Sequence, residues 1–356
     1  MEALRSTLLA NQIERHCDEI ERILAPGGSA FQRAGGFCYP ARSIVKHGKG
    51  KTMRIIVNGQ QAFGKAVLEA LLDKGEEVVA VFSAPDKPGR KPDPLKEFAL
   101  ARNLPVHQPP SFKAPEVRER IQALNPDLAV MAFVTLLIPE AVLDIPTHGT
   151  IQYHPSLLPR HRGPSSINWP IIFGETRTGL SIFWPDDGLD TGPILLQKEV
   201  EIGGDDTLGS IYFDKLFPLG VEAMLEAVDL VRDGGAPRIA QDESVATYES
   251  WCRKDDVGID WKKPFADVHN LIRGADPQPG AWTTHAGRTV QLYDAAKVAG
   301  GGGSPGEVTE VAGDGFTVAA GGGGIVVKRV RAEGEGKIAA SEFAAAAGIT
   351  KGTRLG

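Results

Sequence analysis

The sequence predicts an α/β domain built on a mostly parallel sheet, followed by a small β-rich domain. Two observations carry this. From Met53 the chain runs as an apolar strand, a helix and a second β-branched strand, and a β-α-β opening implies parallel strands joined by right-handed crossovers. From Thr283 onward short β-like runs alternate with glycine clusters at residues 300–303 and 321–324, the pattern of a small β-barrel or sandwich. The expected boundaries are an N-terminal extension at 1–52, a first domain at 53–235 and a second at 236–356.

The extension comes first. Leu9, Ile13, Cys17, Ile20 and Leu24 fall at helical spacing, and residues 27–51 read as loop. The opening lacks the apolar core of a signal peptide, and Glu14, Asp18 and Glu21 argue against a transit peptide. A docking helix and an upstream, non-native start both fit.

Residues 53–58 form the first strand. The helix after it runs through Val67, Leu68, Leu71 and Leu72 and stops at Lys74-Gly75. Residues 77–82 are the second strand, and a proline-rich loop covers 84–94. A helix near 95–102, a short strand at 105–106 and a helix at 115–124 follow. Strands are expected at 128–133, 149–154, 180–184 and 192–200, with a short helix at 139–144. Residues 206–233 are helical, as one helix or two. Composition changes after Gly235, with loop at Asp242-Glu243-Ser244 and a helix within 261–272. The tail from Ile338 reads as an alanine-rich helix and an exposed end.

The 356 residues are 42% apolar and 24% charged, ordinary for a globular chain. A net charge of −6 argues against a general nucleic-acid binder. Cys17, Cys38 and Cys252 form no CxxC pair, so neither a disulfide framework nor a zinc site is indicated, and a cytoplasmic location is expected. No apolar run approaches the roughly 18 residues of a membrane span.

Two nucleotide motifs fail. Gly48-Lys49-Gly50-Lys51-Thr52 has Val45 where a P-loop needs glycine, and a strand follows where a helix is required. Asn58-Gly59-Gln60-Gln61-Ala62-Phe63-Gly64 sits at a strand-to-helix turn but lacks GxGxxG.

The chemistry gathers in the middle of the chain. Pro155 ends the strand at 149–154 and leaves His154 at its tip, where open α/β sheets bind ligands. Strand alternation puts Gln152 on the same face as His154. Asp190 lies on a glycine-rich loop with Asp186 and Asp187, which would otherwise read as a solvated acidic turn. A histidine and a carboxylate on neighbouring loops suit proton transfer. Arg160, His161 and Arg162 form a basic cluster that reads equally well as a solvated turn.

Residues 153–197 resemble the formyltransferase family that uses 10-formyltetrahydrofolate. His154-Pro155-Ser156-Leu157-Leu158-Pro159 is similar to its histidine motif, and Leu189-Asp190-Thr191-Gly192 to its aspartate loop. The resemblance covers 53 to about 230 and continues weakly to the end through Ala340-Ser341-Glu342-Phe343 and Leu355-Gly356. It implies a Rossmann-like formyltransferase domain and an OB-like C-terminal barrel. Pro159-Arg160-His161-Arg162-Gly163, Ile167-Asn168-Trp169, the run from Phe183 to Gly192, the run from Leu195 to Glu199 and Ile272-Arg273-Gly274 look most like the hydrolase domain of 10-formyltetrahydrofolate dehydrogenase. Methionyl-tRNA formyltransferase is the broader cousin.

The resemblance implies catalysis by His154 and Asp190 without a metal. Gln152 would polarise the formyl carbonyl, although formyl-transferring members carry asparagine there. The dehydrogenase branch also departs from asparagine at this position. Leu136, Leu137 and Ile138, with the turn of Ser156, Leu157, Leu158 and Pro159, would hold the pterin end. The implied reaction is deformylation of 10-formyltetrahydrofolate to tetrahydrofolate. Any NADP-linked oxidation would need another protein. Formylation of initiator Met-tRNA, with tRNA as partner, is the alternative. An amino-sugar acceptor and a non-catalytic folate binder stand further off. No membrane partner is expected, and the sequence leaves the oligomeric state open.

Overall fold

Short apolar runs make the strands of the first part of the molecule, and polar-faced helices connect them. A computed structural model of the chain describes residues 52–300 and 302–356. The expected N-terminal helix and loop therefore lie outside the described residues. The chain divides into two units. One holds the chain up to Gln152 together with Leu225–Ala236, and the other holds Tyr153–Met224 and Pro237–Gly356.

The elements follow in chain order as β1 (Arg54–Gly59), α1 (Gln61–Asp73), β2 (Glu77–Phe82), α2 (Pro94–Ala101), β3 (Val106–His107), α3 (Pro115–Leu124), β4 (Leu128–Ala132), α4 (Glu140–Leu143) and β5 (Thr150–His154). In the first unit the order is β3-β2-β1-β4-β5, and each pair is parallel. That is the expected sheet. All five residues of β4 are buried, as a strand covered on both faces requires. Ile56, Phe82, Phe112, Met131 and Leu143 pack in one core. Each fully buried side chain of that size contributes roughly 1.5–3 kcal/mol. Asp93 caps α2 by accepting the Leu95 N–H at 2.8 Å, and it also accepts the Gln61 N–H at 2.9 Å. Burial pushes its carboxyl above the ordinary range, while these backbone donors pull the other way.

The chain continues through α5 (Asn168–Ile172), β6 (Arg177–Phe183), β7 (Ile194–Glu201), α6 (Leu208–Ser210), a π-helical turn at Ile211–Leu216 and α7 (Phe217–Arg232), whose residues from Leu225 belong to the first unit. Strands β6 and β7 are antiparallel, in register from Arg177↔Glu201. That partner extends β6 three residues ahead of its expected start at 180. The helical stretch expected at 206–233 runs continuously over 208–232, with a π-helical turn inside it. Pro218 suits that turn, since it has no N–H for the carbonyl of Asp214 and its ring crowds that carbonyl.

After these come α8 (Phe265–Gly274), β8 (Trp282–His285), β9 (Arg288–Ala299), β10 (Val308–Ala312), β11 (Gly315–Ala320), β12 (Gly323–Ala332), β13 (Ile338–Ala339) and α9 (Ala340–Ala347). The sheet order is β10-β11-β12-β9-β8, all antiparallel, with β13 on β12. Trp261, Leu292, Phe316, Val327 and Phe343 share its core. The expected exposed end is found at Lys351, Gly352, Arg354 and Gly356, but it is tied down through Leu355. Leu355 is buried, its N–H donates to the Gly306 carbonyl at 2.8 Å, and Gly356 donates to Thr284 at 2.9 Å. An isolated apolar residue near a terminus gives little sign of the groove that receives it. Among the described residues no helix is long and apolar enough to cross a membrane.

Candidate active site

The burial of β5 ends on its histidine. Thr150, Ile151, Tyr153 and His154 are buried and Gln152 is half-buried. His154 is 6% exposed. Its Nε2 lies 2.9 Å from the carbonyl of His161, and its Nδ1 lies 3.6 Å from Oδ1 of Asp190. A carbonyl can only accept, so Nε2 is a donor. The carboxylate of Asp190 faces the other ring nitrogen. The two loops named from the sequence thus bring the pair together. Leu136 and Ile138 pack into the core of the first unit, while Leu137 is 69% exposed.

The Asp190 loop is built by another acid. Asp186 Oδ1 accepts from the Gly188 N–H at 3.0 Å and from the Thr191 hydroxyl at 2.6 Å, closing a local turn. Asp190 then stands in the left-handed region at φ 58°, 7% exposed. Its Oδ2 accepts the Gly163 N–H at 2.9 Å, which leaves Oδ1 to face His154.

The turn after His154 is tied down along its backbone. The Ser156 hydroxyl donates to the Arg160 carbonyl and the Ser181 hydroxyl to the Ser156 carbonyl, both at 2.7 Å. The Leu158 N–H donates to Ser181 Oγ at 3.1 Å. The carbonyls of Leu158 and Pro159 accept from Gln197 and from the Thr247 N–H. Leu157 is half-buried beside them.

The basic cluster is not a solvated turn. Arg160 pairs with Glu175 at 2.6 Å from an exposed position, but His161 and Arg162 are only 4% and 7% exposed. Arg162 donates to both carboxylate oxygens of Glu243, at 2.9 and 2.6 Å, and to Gln241 Oε1. The Glu243 contact holds the guanidinium pKa above its ordinary value, against the effect of burial. Gln241 turns its amide to the carbonyls of Asp190 at 2.9 Å and Gly192 at 2.7 Å. Gln241, Glu243, Thr247 and Glu249 were missed in the sequence, where their segment reads as loop.

The formyl transferase family pattern matches residues 52–228, and the formyl transferase C-terminal domain matches residues 252–348. The methionyl-tRNA formyltransferase of Trichlorobacter lovleyi is 41% identical over 307 residues, which is 85% of this chain and 96% of that protein. The chain belongs to the formyl transferase family.

Within it, the cytosolic 10-formyltetrahydrofolate dehydrogenase of Xenopus tropicalis is 45% identical over 266 residues, 73% of this chain. The alignment spans 29% of that relative's length. Two solved structures share the fold at low identity. HypX from Aquifex aeolicus, in complex with tetrahydrofolic acid, has a TM-score of 0.61 at 20% identity, over 83% of this chain and 47% of that one. An N-formyltransferase from Helicobacter canadensis, with folinic acid and dTDP-3-aminofucose, has a TM-score of 0.59 at 18% identity, over 78% and 99% of the two chains. The segment between the two family matches, 229–251, contains Gln241, Glu243, Thr247 and Glu249.

Proposed function

We propose that this formyl transferase removes the formyl group of 10-formyltetrahydrofolate by hydrolysis, giving formate and tetrahydrofolate. The observation that carries the reading is the buried pair of His154 and Asp190, 3.6 Å apart and each held by a second contact. The oxygen of water bonds to the formyl carbon, and the oxyanion so formed needs donors, of which one can matter by about 10²–10³ in rate. His154, with the Gln152 amide, supplies them. The C–N10 bond then breaks with its electron pair going to nitrogen, and His154 delivers the proton that N10 requires. Asp190 orients the imidazole and the attacking water, takes the proton the water loses as its oxygen bonds to carbon, and returns that proton to His154 Nδ1 after N10 has been protonated, so that formate leaves with the pair restored. Leu136, Leu137 and Ile138, with the turn at Ser156–Pro159, are assigned to the pterin end by family resemblance.

Water is favoured as acceptor by Gln152 and by charge. Residues 252–348 hold eleven Lys and Arg against twelve Asp and Glu, so this region carries no net positive charge for a tRNA backbone. The second reading, transfer to Met-tRNA, is supported by the alignment along 96% of the Trichlorobacter enzyme. The test is release of tetrahydrofolate from 10-formyltetrahydrofolate with and without formylatable Met-tRNA. Acceptor-independent turnover, lost by about 10²-fold or more in His154→Ala and Asp190→Asn, is expected. Turnover that requires Met-tRNA, and that falls steeply with added salt, would replace this reading with the second.

A further inference from the structure

His161 sits next to the proposed chemistry without a part in it. Its backbone carbonyl receives Nε2 of His154, and its own φ is 55°, a left-handed conformation that non-glycine residues rarely adopt. Such a conformation persists only where its surroundings hold it. The surroundings are visible on three sides. Nδ1 of His161 lies 3.1 Å from Glu249, Nε2 lies 3.2 Å from Glu175, and the His161 N–H donates to Thr247 Oγ1 at 2.8 Å. The side chain is 5% exposed, and the Phe173 ring lies 6.3 Å from its own. Each ring nitrogen thus has its own carboxylate partner. The side chain is thereby fixed at both ends, and the peptide unit that carries the carbonyl is fixed with it.

We propose that His161 is a positioning residue. Its side chain, clamped between Glu175 and Glu249, aims its own carbonyl at the Nε2 proton of His154. The carbonyl is the resting acceptor of that proton and sets the plane of the catalytic ring. Nδ1 is then turned to Asp190, and the proton is held where N10 of the folate can compete for it. The effect passes through the backbone, so a side chain that never meets substrate governs the geometry of one that does. This inference rests on the deformylase reading above.

The test compares His161→Ala, His161→Asn and Glu249→Ala with the wild-type chain and with His154→Ala. Asparagine tolerates the left-handed region, which separates backbone conformation from side-chain clamping. In His161→Ala, kcat is expected to fall about 10²-fold, the scale of an ångström misplacement, with KM for the folate within about twofold. Glu249→Ala is expected to fall about tenfold, and His161→Asn to recover part of the loss. Nitrogen-15 spectra of the free protein should show the His154 ring losing its hydrogen-bonded Nε2–H signal in His161→Ala. If His161→Ala does not fold, Glu249→Ala carries the same kinetic and spectral test. Wild-type kcat and an unchanged His154 spectrum in these variants would overturn the proposal. A wild-type chain inactive towards 10-formyltetrahydrofolate would instead overturn the functional reading, and the spectra would still decide whether His161 holds His154.

Discussion

Arg162 and Gln241 lie 79 residues apart in sequence and meet through two guanidinium nitrogens, at 3.2 and 2.8 Å from one amide oxygen. With its oxygen fixed in this way, the Gln241 side chain presents its NH₂ to the carbonyls of Asp190 and Gly192. The proposed catalytic carboxylate is thus supported from a segment outside both family-matched regions.

Gln241→Leu keeps the bulk and removes the polar ends. The carbonyls of Asp190 and Gly192 lose their amide donor, and Arg162 keeps Glu243 alone. Leaving buried polar groups without partners costs about 1–3 kcal/mol. Denaturant unfolding should show a loss of that size. The deformylation kcat should fall about tenfold or more as the Asp190 loop shifts.

Gly163 is a second point of close fit. Its φ is +103°, and a Cβ there would lie 2.4 Å from the Glu249 carbonyl oxygen. Its N–H also holds Asp190. Gly163→Ala should lower stability by about 1–3 kcal/mol from backbone strain alone. Thermal melting checks the stability. Activity should be lost in the fraction that remains folded, because the donor to Asp190 Oδ2 is displaced.

His269 on α8 gives a pH dependence of stability. It is fully buried, and burial pushes its imidazole below the ordinary value of 6.5. The Ala295 carbonyl at 3.1 Å opposes the shift, and Lys297 and Arg273 add to it. The folded ring stays neutral at pH values where the unfolded chain takes up a proton. Its stabilising contribution is therefore complete above about pH 6.5 and declines as pH falls from there towards the lowered folded value. Melting temperatures should be level above about pH 7 and drop as pH falls below about 6.5. His269→Gln, which keeps a donor for the Ala295 carbonyl, should flatten that drop.

Local patterns carried much of the fold. The strand–helix alternation from Met53 pointed to the parallel sheet, because β1, β2 and β4 are built on apolar runs and the longer helices between them have one apolar face. The glycine-punctuated strands after Thr283 gave the antiparallel second sheet. His154 and Asp190 were legible because each stands in a motif of its own. Their support was not. Asp190 and Gln241 are 51 residues apart, and His161 and Glu249 are 88 apart. Nothing within the loop at 241–249 shows that its polar residues turn inward. For the same reason the sequence left a solvated turn equally open for Arg160-His161-Arg162: Arg160 is exposed, but the carboxylates that meet the buried His161 and Arg162 come from 175, 243 and 249. The π-turn was foreseeable from Pro218, which sits inside the helical pattern.

The strand of chain from Ile239 to Cys252 has a bearing on how this protein could be divided. Ile239 pairs with Ile194, Gln241 with the Asp190 loop, Thr247 and Glu249 with His161, and the Cys252 N–H with Ser165 Oγ. A fragment severed at Gly235 would contain every residue assigned to the chemistry and none of these ties. Hybrids made by grafting one relative's C-terminal half onto another's N-terminal half face the same difficulty if they are joined there. The stretch from Ile239 to Cys252 travels with the part of the chain that carries His154.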